Sequence, residues 1–324
     1  MIRQVILLAA AALAGFGAVP GRAQQSYPNR PVKIIAPVQP GGGVDLVART
    51  MADQLGKLLK ATFIVENVAG GGGVIASQSV AHAAPDGYTL MIAYVGTHGT
   101  SPAVRKLTYD AVQDFTPIAM VGGTPNVLVV NSSVPATDMA SFLDYVRKNP
   151  GKLSYGSAGQ GSLTHLAMEQ FKSAAGFDAV HAAYRGIGPA ITDTLGGQTQ
   201  MMMPGLAAAL PHIRGGMLRP IAVTGLTRHR LLPAVPTFKE LGYQDFDGVQ
   251  WYGLVGPARL PADIAVKLNA AVNESLNNPT LRERLAGEAL ETMPMAPAQF
   301  AEFIRADIAR WSRLASEHNI KLED

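Results

Sequence analysis

The sequence predicts an α/β protein of two domains, each a parallel-rich sheet with helices on both faces. Three observations carry this. Short apolar runs alternate with amphipathic helical patterns along most of the chain. Glycine-rich stretches recur where a strand-like run gives way to a helix. The chain has 324 residues, 48% of them hydrophobic and 16% charged, enough for two cores of roughly 100–150 residues each.

Val32–Ala36, Phe63–Glu66 and Tyr88–Ala93 read as strands. After the first, Val47, Met51, Leu55 and Leu58 share one helical face. Pro85, Asp86 and Gly87 mark a turn before the third strand. Such strand–helix–strand order implies parallel pairing. Further strands are expected at Ile118–Val121, Asn126–Val130, Leu153–Tyr155, Val180–Tyr184, Gln200–Met203, Pro220–Val223 and Val249–Val255. Helices are expected at Met139–Lys148, Leu163–Ala174 and Pro189–Leu195. From there to the end the pattern is helical: Pro261–Asn277, Pro279–Glu288 and Pro297–His318, each with proline in its first turn.

The terminal helices need a sheet to cover. Residues 26–124 and 251–324 are therefore expected to form one domain and 125–250 the other. The chain then crosses twice, near Thr124–Val130 and Gln250–Val255, which implies a cleft with a hinge.

The N-terminus reads as a secretory signal peptide, residues 1–23. Arg3 precedes an uncharged stretch of 15 residues, Val5–Val19, and Gly21-Arg22-Ala23 is a small-x-small cleavage site. Cleavage there removes Arg3 and Arg22 and no acid, taking the net charge from +3 to +1. With no cysteine there is neither a disulfide nor a lipid attachment point. An exported, unanchored protein of this kind is expected in the periplasm. Its basic residues are scattered, which argues against nucleic acid as a partner.

Glycine bares backbone at three junctions: "PGGGVD" (Pro40–Asp45), "AGGGGV" (Ala69–Val74) and "GSAGQGS" (Gly156–Ser162); "YRGIGPA" (Tyr184–Ala190) is a fourth. A helix N-terminus carries unpaired N–H groups and partial positive charge, so such loops suit an anion. None matches a nucleotide-phosphate motif, and no cofactor is expected. Asp45 at a helix start also serves the helix dipole, so it has a structural reading beside the ligand one. No GxSxG elbow surrounds Ser157 or Ser162, and the seven histidines show no HxxxH or HxH spacing. The reading is therefore a binding protein, not an enzyme, with no metal site.

At these motifs the chain resembles the substrate-binding proteins of tripartite tricarboxylate transporters, the Bug family. The resemblance spans the mature chain. It rests on "YPNRPVKIIAP" with "PGGGVDLVAR", "ENVAGGGG", "APDGYTL" with "GTHGTSPAV", "DFTPIAMVGGTPNVLVVN", "YGSAGQGSLTHLA", "YRGIGPAITDTLGGQ", "ALPHIRGG", "LPAVPTFKELGY" and "WYGLVGPARLPADI". It implies a type II periplasmic binding protein with two hinge strands and a cleft closing on a small carboxylate. Contacts carried over by motif come from Val38, Gln39, Pro40, Gly41, Gly42, Gly43 and Asp45, and from Tyr94, Gly96, Thr97 and His98. Across the cleft stand Ser157, Ala158, Gly159, Thr164, His165, Tyr184 and Pro204, while Asn67 and Gly70–Gly73 support the wall. The partners implied are the carboxylate and either the membrane subunits of a tripartite transporter or a sensor kinase; a monomer is expected.

Two departures bear on the ligand. Family members often carry an aromatic residue at the place of Val38 and a small residue or proline at that of Gln39. Many also carry an aspartate facing the ligand where Pro204 stands, and Tyr94 replaces a commonly smaller residue. This leans away from amino acids toward a less polar carboxylate, an aromatic acid being one candidate.

Overall fold

The computed structural model describes residues 27–246, 248–317 and 320. The signal-peptide reading, residues 1–23, lies outside the described residues.

The first sheet opens with β1 (Val32–Ala36), α1 (Gly43–Leu59), β2 (Phe63–Asn67), α2 (Val74–Ala81), β3 (Thr89–Tyr94) and the short α3 (Ser101–Val104). It continues with the long β4 (Phe115–Pro125), and the chain crosses into β5 (Val127–Asn131) of the second sheet. There follow α4 (Met139–Lys148), β6 (Ser154–Ser157), α5 (Leu163–Ala175), β7 (Val180–Ala183) and α6 (Ile187–Leu195). Next come β8 (Met201–Met202), α7 (Leu206–Arg214) and β9 (Leu218–Val223). The chain returns through β10 (Val249–Pro257) to α8 (Ala262–Asn277), α9 (Pro279–Gly287), β11 (Glu291–Thr292) and α10 (Pro297–Glu317).

The strand orders are β11-β4-β10-β3-β1-β2 and β7-β6-β8-β5-β9. The expected parallel character holds for β2-β1-β3 and for β7-β6-β8. The crossing strands run the other way: β10 is antiparallel to β3 and β4, and β5 to β8 and β9. Both sheets are therefore mixed, because a strand returning from the other sheet enters against the βαβ direction.

Neighbouring residues of a strand feed opposite cores, as the pleat requires. Ile34, Leu90 and Ile92 face one side of the first sheet; Ile35, Met91 and Ala93 face the other. In β5, Leu128 and Val130 face one layer while Val127 and Val129 face the opposite one. Burial on both faces explains why these strands read as unbroken apolar runs.

The crossings are tied together. The Asn126 N–H donates to Thr224 Oγ1 at 2.8 Å, its Nδ2 to the Met203 carbonyl at 2.9 Å, and Thr224 Oγ1 to the Gly248 carbonyl at 2.8 Å. Two elements depart from expectation. β11 interrupts the predicted all-helical end, pairing with β4 at Gly122 and Gly123. α7 forms where no helix is predicted, with Pro211 inside it.

Candidate functional site

The loop from β1 to α1 is held from beneath. Gly41 has φ 95°, a region natural to glycine. Its N–H donates to Asp45 Oδ2 at 3.0 Å. Arg49 Nε also donates to Oδ2, at 3.0 Å, and Asn67 Nδ2 donates to Oδ1 at 2.9 Å. Asn67 Nδ2 reaches the Val38 carbonyl too, at 3.2 Å. Burial raises the Asp45 pKa, but the hydrogen bonds from Arg49, Asn67 and Gly41 outweigh it and hold the carboxyl below its ordinary value. Asp45 is 5% exposed, and together with Asn67 its carboxylate clamps the loop from beneath.

Above this clamp α1 starts with no side chain on its first N–H groups; its N-cap is Gly42. Nothing lies within 4 Å of where a Cβ would stand on Gly41 or Gly42. Gln39, Pro40 and Gly41 are exposed, and Val38 is half-buried against the core. Gly43 is different. A Cβ there would meet the Tyr252 hydroxyl at 2.4 Å. Tyr252, buried on β10 opposite Tyr94, thus packs directly beside the start of α1. Sequence reasoning missed it, because "WYG" reads as a packing strand.

The second glycine run serves packing. A Cβ on Gly73 would stand 2.5 Å from Thr97 Cγ2, so bare backbone lets the β2 and β3 loops touch. The half-buried Tyr94 spans the same junction. Its hydroxyl donates to the Gly72 carbonyl at 3.2 Å, and its ring occupies the space a Cβ on Gly96 would need. Burial pushes its phenol up to about 12.

Gly96–Thr100 forms one wide helical turn, wholly buried. The His98 ring is fully buried. The ring is edge-on to Phe115 at 4.5 Å, beside Tyr109, and Nδ1 pairs with Thr97 Oγ1 at 2.9 Å. Burial lowers its pKa to about 3. His98 is a neutral core residue.

In the second sheet, the β6–α5 loop satisfies its own donors. Thr164 Oγ1 accepts the Ala158 N–H at 2.9 Å, Ser157 Oγ the Gly159 N–H at 3.1 Å, and His165 Nδ1 the Gly161 N–H at 3.1 Å. Ser162 caps α5. Ser157, Thr164 and His165 are buried, whereas Ala158 and Gly159 are half-exposed.

His181 was not singled out from the sequence. Its Nε2 lies 2.6 Å from Ser157 Oγ, and its ring stacks on His165 at 4.1 Å and on Tyr155 at 4.8 Å. Burial, then the neighbouring His165, lower its pKa to about 4. The serine–histidine contact resembles a nucleophile and base, which the sequence reading does not find. Ser157 is fully buried, however, and its hydroxyl is engaged by the Gly159 backbone as well.

The Tyr184 N–H donates to the Ser157 carbonyl at 3.1 Å and its hydroxyl to Asp193 at 2.8 Å. Pro204 is buried; its carbonyl accepts the Val127 N–H at 2.9 Å, next to the start of α7, where Thr124 Oγ1 accepts the Ala207 N–H at 3.2 Å.

The two sheets meet at these loops. Leu163 and Leu166 of α5 pack into the first sheet's core with Val95 and Val104. Arg105, just past α3, donates from Nη2 to the Gln160 carbonyl at 2.7 Å. Gly205, at the head of α7, lies against Thr124 and Gln250. Two surface hollows lie elsewhere: one of about 240 Å³ between Phe115 and Ile304, and one of about 640 Å³ beside Lys172 and Glu317.

Residues 47–320 match the family described as "Tripartite tricarboxylate transporter family receptor". Protein BugT of Bordetella pertussis is 34% identical over 304 residues, which cover 92% of each chain. Among solved structures, that of R. palustris Rpa4515 with adipate superposes with TM-score 0.88 at 32% identity, over 91% of this chain and 99% of that one. MatC (Rpa3494) from Rhodopseudomonas palustris with bound malate gives TM-score 0.83 at 32% identity, over 89% and 99%. The chain belongs to the tripartite tricarboxylate transporter family receptors, whose fold is that of periplasmic solute-binding proteins, not of enzymes.

Proposed function

We propose that this protein is an exported periplasmic receptor, cleaved near Ala23, that captures a small organic carboxylate between its two sheets. It delivers that acid to the membrane subunits of a tripartite transporter. The observation that carries this is the start of α1: a glycine N-cap with open space around it, held in place by a buried carboxylate. Such a terminus presents aligned N–H donors and partial positive charge to an anion.

In this reading Pro40–Gly43 take the carboxylate, with Val38, Gln39 and Tyr94 as walls. Ala158, Gly159, Tyr184 and Pro204 close over it. Closure turns at Asn126 and Thr224, and the closed form is what the membrane partner recognises. Pro204 brings no side-chain acceptor for an ammonium group, its carbonyl is taken by Val127, and Asp45 and Asp193 are already engaged. That supports a ligand other than an amino acid.

The test is thermal stabilisation of the mature protein, Gln24 onward, by mono-, di- and tricarboxylates, amino acids and aromatic acids. A ligand at about 100 times its Kd adds ~2.7 kcal/mol to the folded state. Stabilisation by one class of acid, with amino acids inert, is the expected result. An aromatic acid should outcompete citrate and glutamate. No stabilisation by any acid, in protein freed of co-purified ligand, would sink the proposal.

A further inference from the structure

The Gly96–Thr100 turn is where the second sheet comes up against the first. α5 reaches it from one side, and α10 backs it from the other. The turn also carries part of the wall: the Tyr94 ring lies over Gly96, and Thr97 touches Gly73 of the neighbouring loop. On the α10 side the turn meets a carboxylate. Asp307, half-buried on α10, stands so close that a Cβ on Gly99 would lie 2.4 Å from its Oδ2.

The same carboxylate takes both tryptophans of the chain. Trp251 Nε1 donates to Oδ2 at 2.7 Å and Trp311 Nε1 to Oδ1 at 3.1 Å. The two bonds differ in reach. Trp311 is four residues on from Asp307, so its bond closes within α10. Trp251 belongs to β10, the strand by which the chain returns from the second sheet. Its neighbours Val249 and Gln250 pair with Pro125 and Thr124 at the crossing itself. Trp251 is fully buried, with Phe300 and Phe303 of α10 edge-on to its ring. Burial pushes the Asp307 carboxyl up to about 6, while the Trp251 bond, the Arg310 charge and the Trp311 bond work against it. A carboxylate here costs desolvation that a neutral acceptor would not. It also accepts from two donors at once and fixes the direction of each.

We infer that Asp307 is a positioning residue for ligand capture: through Trp251 and Gly99 it locks the returning strand to the turn on which the second sheet closes. The inference rests on the receptor reading above. With the lock in place, strand and turn move as one body, and α5 closes onto a preset surface. Without it the closed arrangement is less populated, and the apparent affinity for an acid falls by that fraction.

The test titrates butyrate, adipate, malate, citrate and benzoate calorimetrically into the mature protein, and carries the tightest of the five into three variants. Asp307→Asn leaves one acceptor for two indole donors and should weaken binding about 10-fold. Trp251→Phe removes the bond to β10 and should weaken it by a similar factor. Trp311→Phe removes a bond of the same kind, to the same carboxylate, but inside α10. It should bind within ~2-fold of wild type. Urea denaturation of each variant separates affinity from stability. Both tryptophan variants should unfold at lower urea than wild type, so affinity parts from stability only at Trp251. Circular dichroism checks that each variant folds; should Trp251→Phe fail, Asp307→Asn against Trp311→Phe carries the comparison.

The same affinity loss in both tryptophan variants would overturn the inference and leave the receptor reading standing. So would wild-type affinity in Asp307→Asn, which would make Asp307 a packing contact and nothing more. A wild type that binds none of these acids, in protein freed of co-purified ligand, would overturn the receptor reading, and this inference with it.

Discussion

The glycine loop before α1 and the glycine loop before α5 look alike in sequence and end differently. Both follow a strand and open a helix. Before α5, Ser157, Ser162, Thr164 and His165 turn onto the loop and take its N–H groups. Before α1, Asp45 and Asn67 hold the loop from below, and the helix start keeps no side-chain cap. Glycine permits an anion site; the polar side chains around it decide whether donors remain to be offered. In the proposed function the first loop receives the anion and the second keeps its own bonds.

Four changes would break or sharpen this contrast. Asp45→Ala has the largest expected effect. It removes the acceptor for Gly41, Arg49 and Asn67, costing about 2–3 kcal/mol of stability and at least ~10-fold in carboxylate affinity. Chemical denaturation and titration calorimetry check the two parts. Normal affinity in this variant would mean that the loop needs no clamp.

Gly43→Ala comes next, because its Cβ would stand 2.4 Å from the Tyr252 hydroxyl. Overpacking of this kind costs about 1–3 kcal/mol. Tyr252→Phe in the same chain removes the hydroxyl and should recover part of the loss. If the double variant recovers nothing, Tyr252 is not what fixes the start of α1.

Ser162→Ala removes the α5 cap and should cost about 1 kcal/mol in stability, with carboxylate affinity within ~2-fold of wild type. A large loss of binding here would erase the distinction between the loops.

The last change acts through pH. His181 titrates near 4 in the folded protein against 6.5 when free. Below 6.5 the unfolded chain takes up the proton first, so stability falls as pH drops from about 6.5 to 4, then levels off for this group. The depressed Asp45 acts lower: its contribution is present above the ordinary value of 3.8 and is lost as pH falls through the folded value. His181→Asn should make the fall across the upper window shallower without abolishing it, because the buried His98 titrates through it too, and should leave the lower one. Urea titrations from about pH 2 to 7 would show both windows.

Much of the frame was legible because its signals are local. β1 and α4 form at their predicted bounds, since apolar period and turn residues lie within a few positions of each other. Asn67 lies under the β1–α1 loop, bonded to Asp45. What sequence reasoning missed depends on contacts between distant positions. His181 meets Ser157 only because β6 pairs with β7. Tyr252 reaches Gly43 only because β10 returns beside β3. Arg105 finds Gln160 only when the two sheets face each other. His98 sits inside a loop motif, yet its ring packs on Tyr109 and Phe115 in the core, which the motif alone does not show.

The central claim is that the open start of α1 holds a carboxylate. A crystal structure of the mature protein with its most stabilising acid tests it most directly. The account predicts carboxylate oxygens within hydrogen-bond distance of backbone N–H groups between Gly42 and Val44, with the bonds of Ala158, Gly159 and Gly161 to Thr164, Ser157 and His165 intact. An acid bound instead to the freed N–H groups of the α5 loop, with the start of α1 untouched, would contradict it.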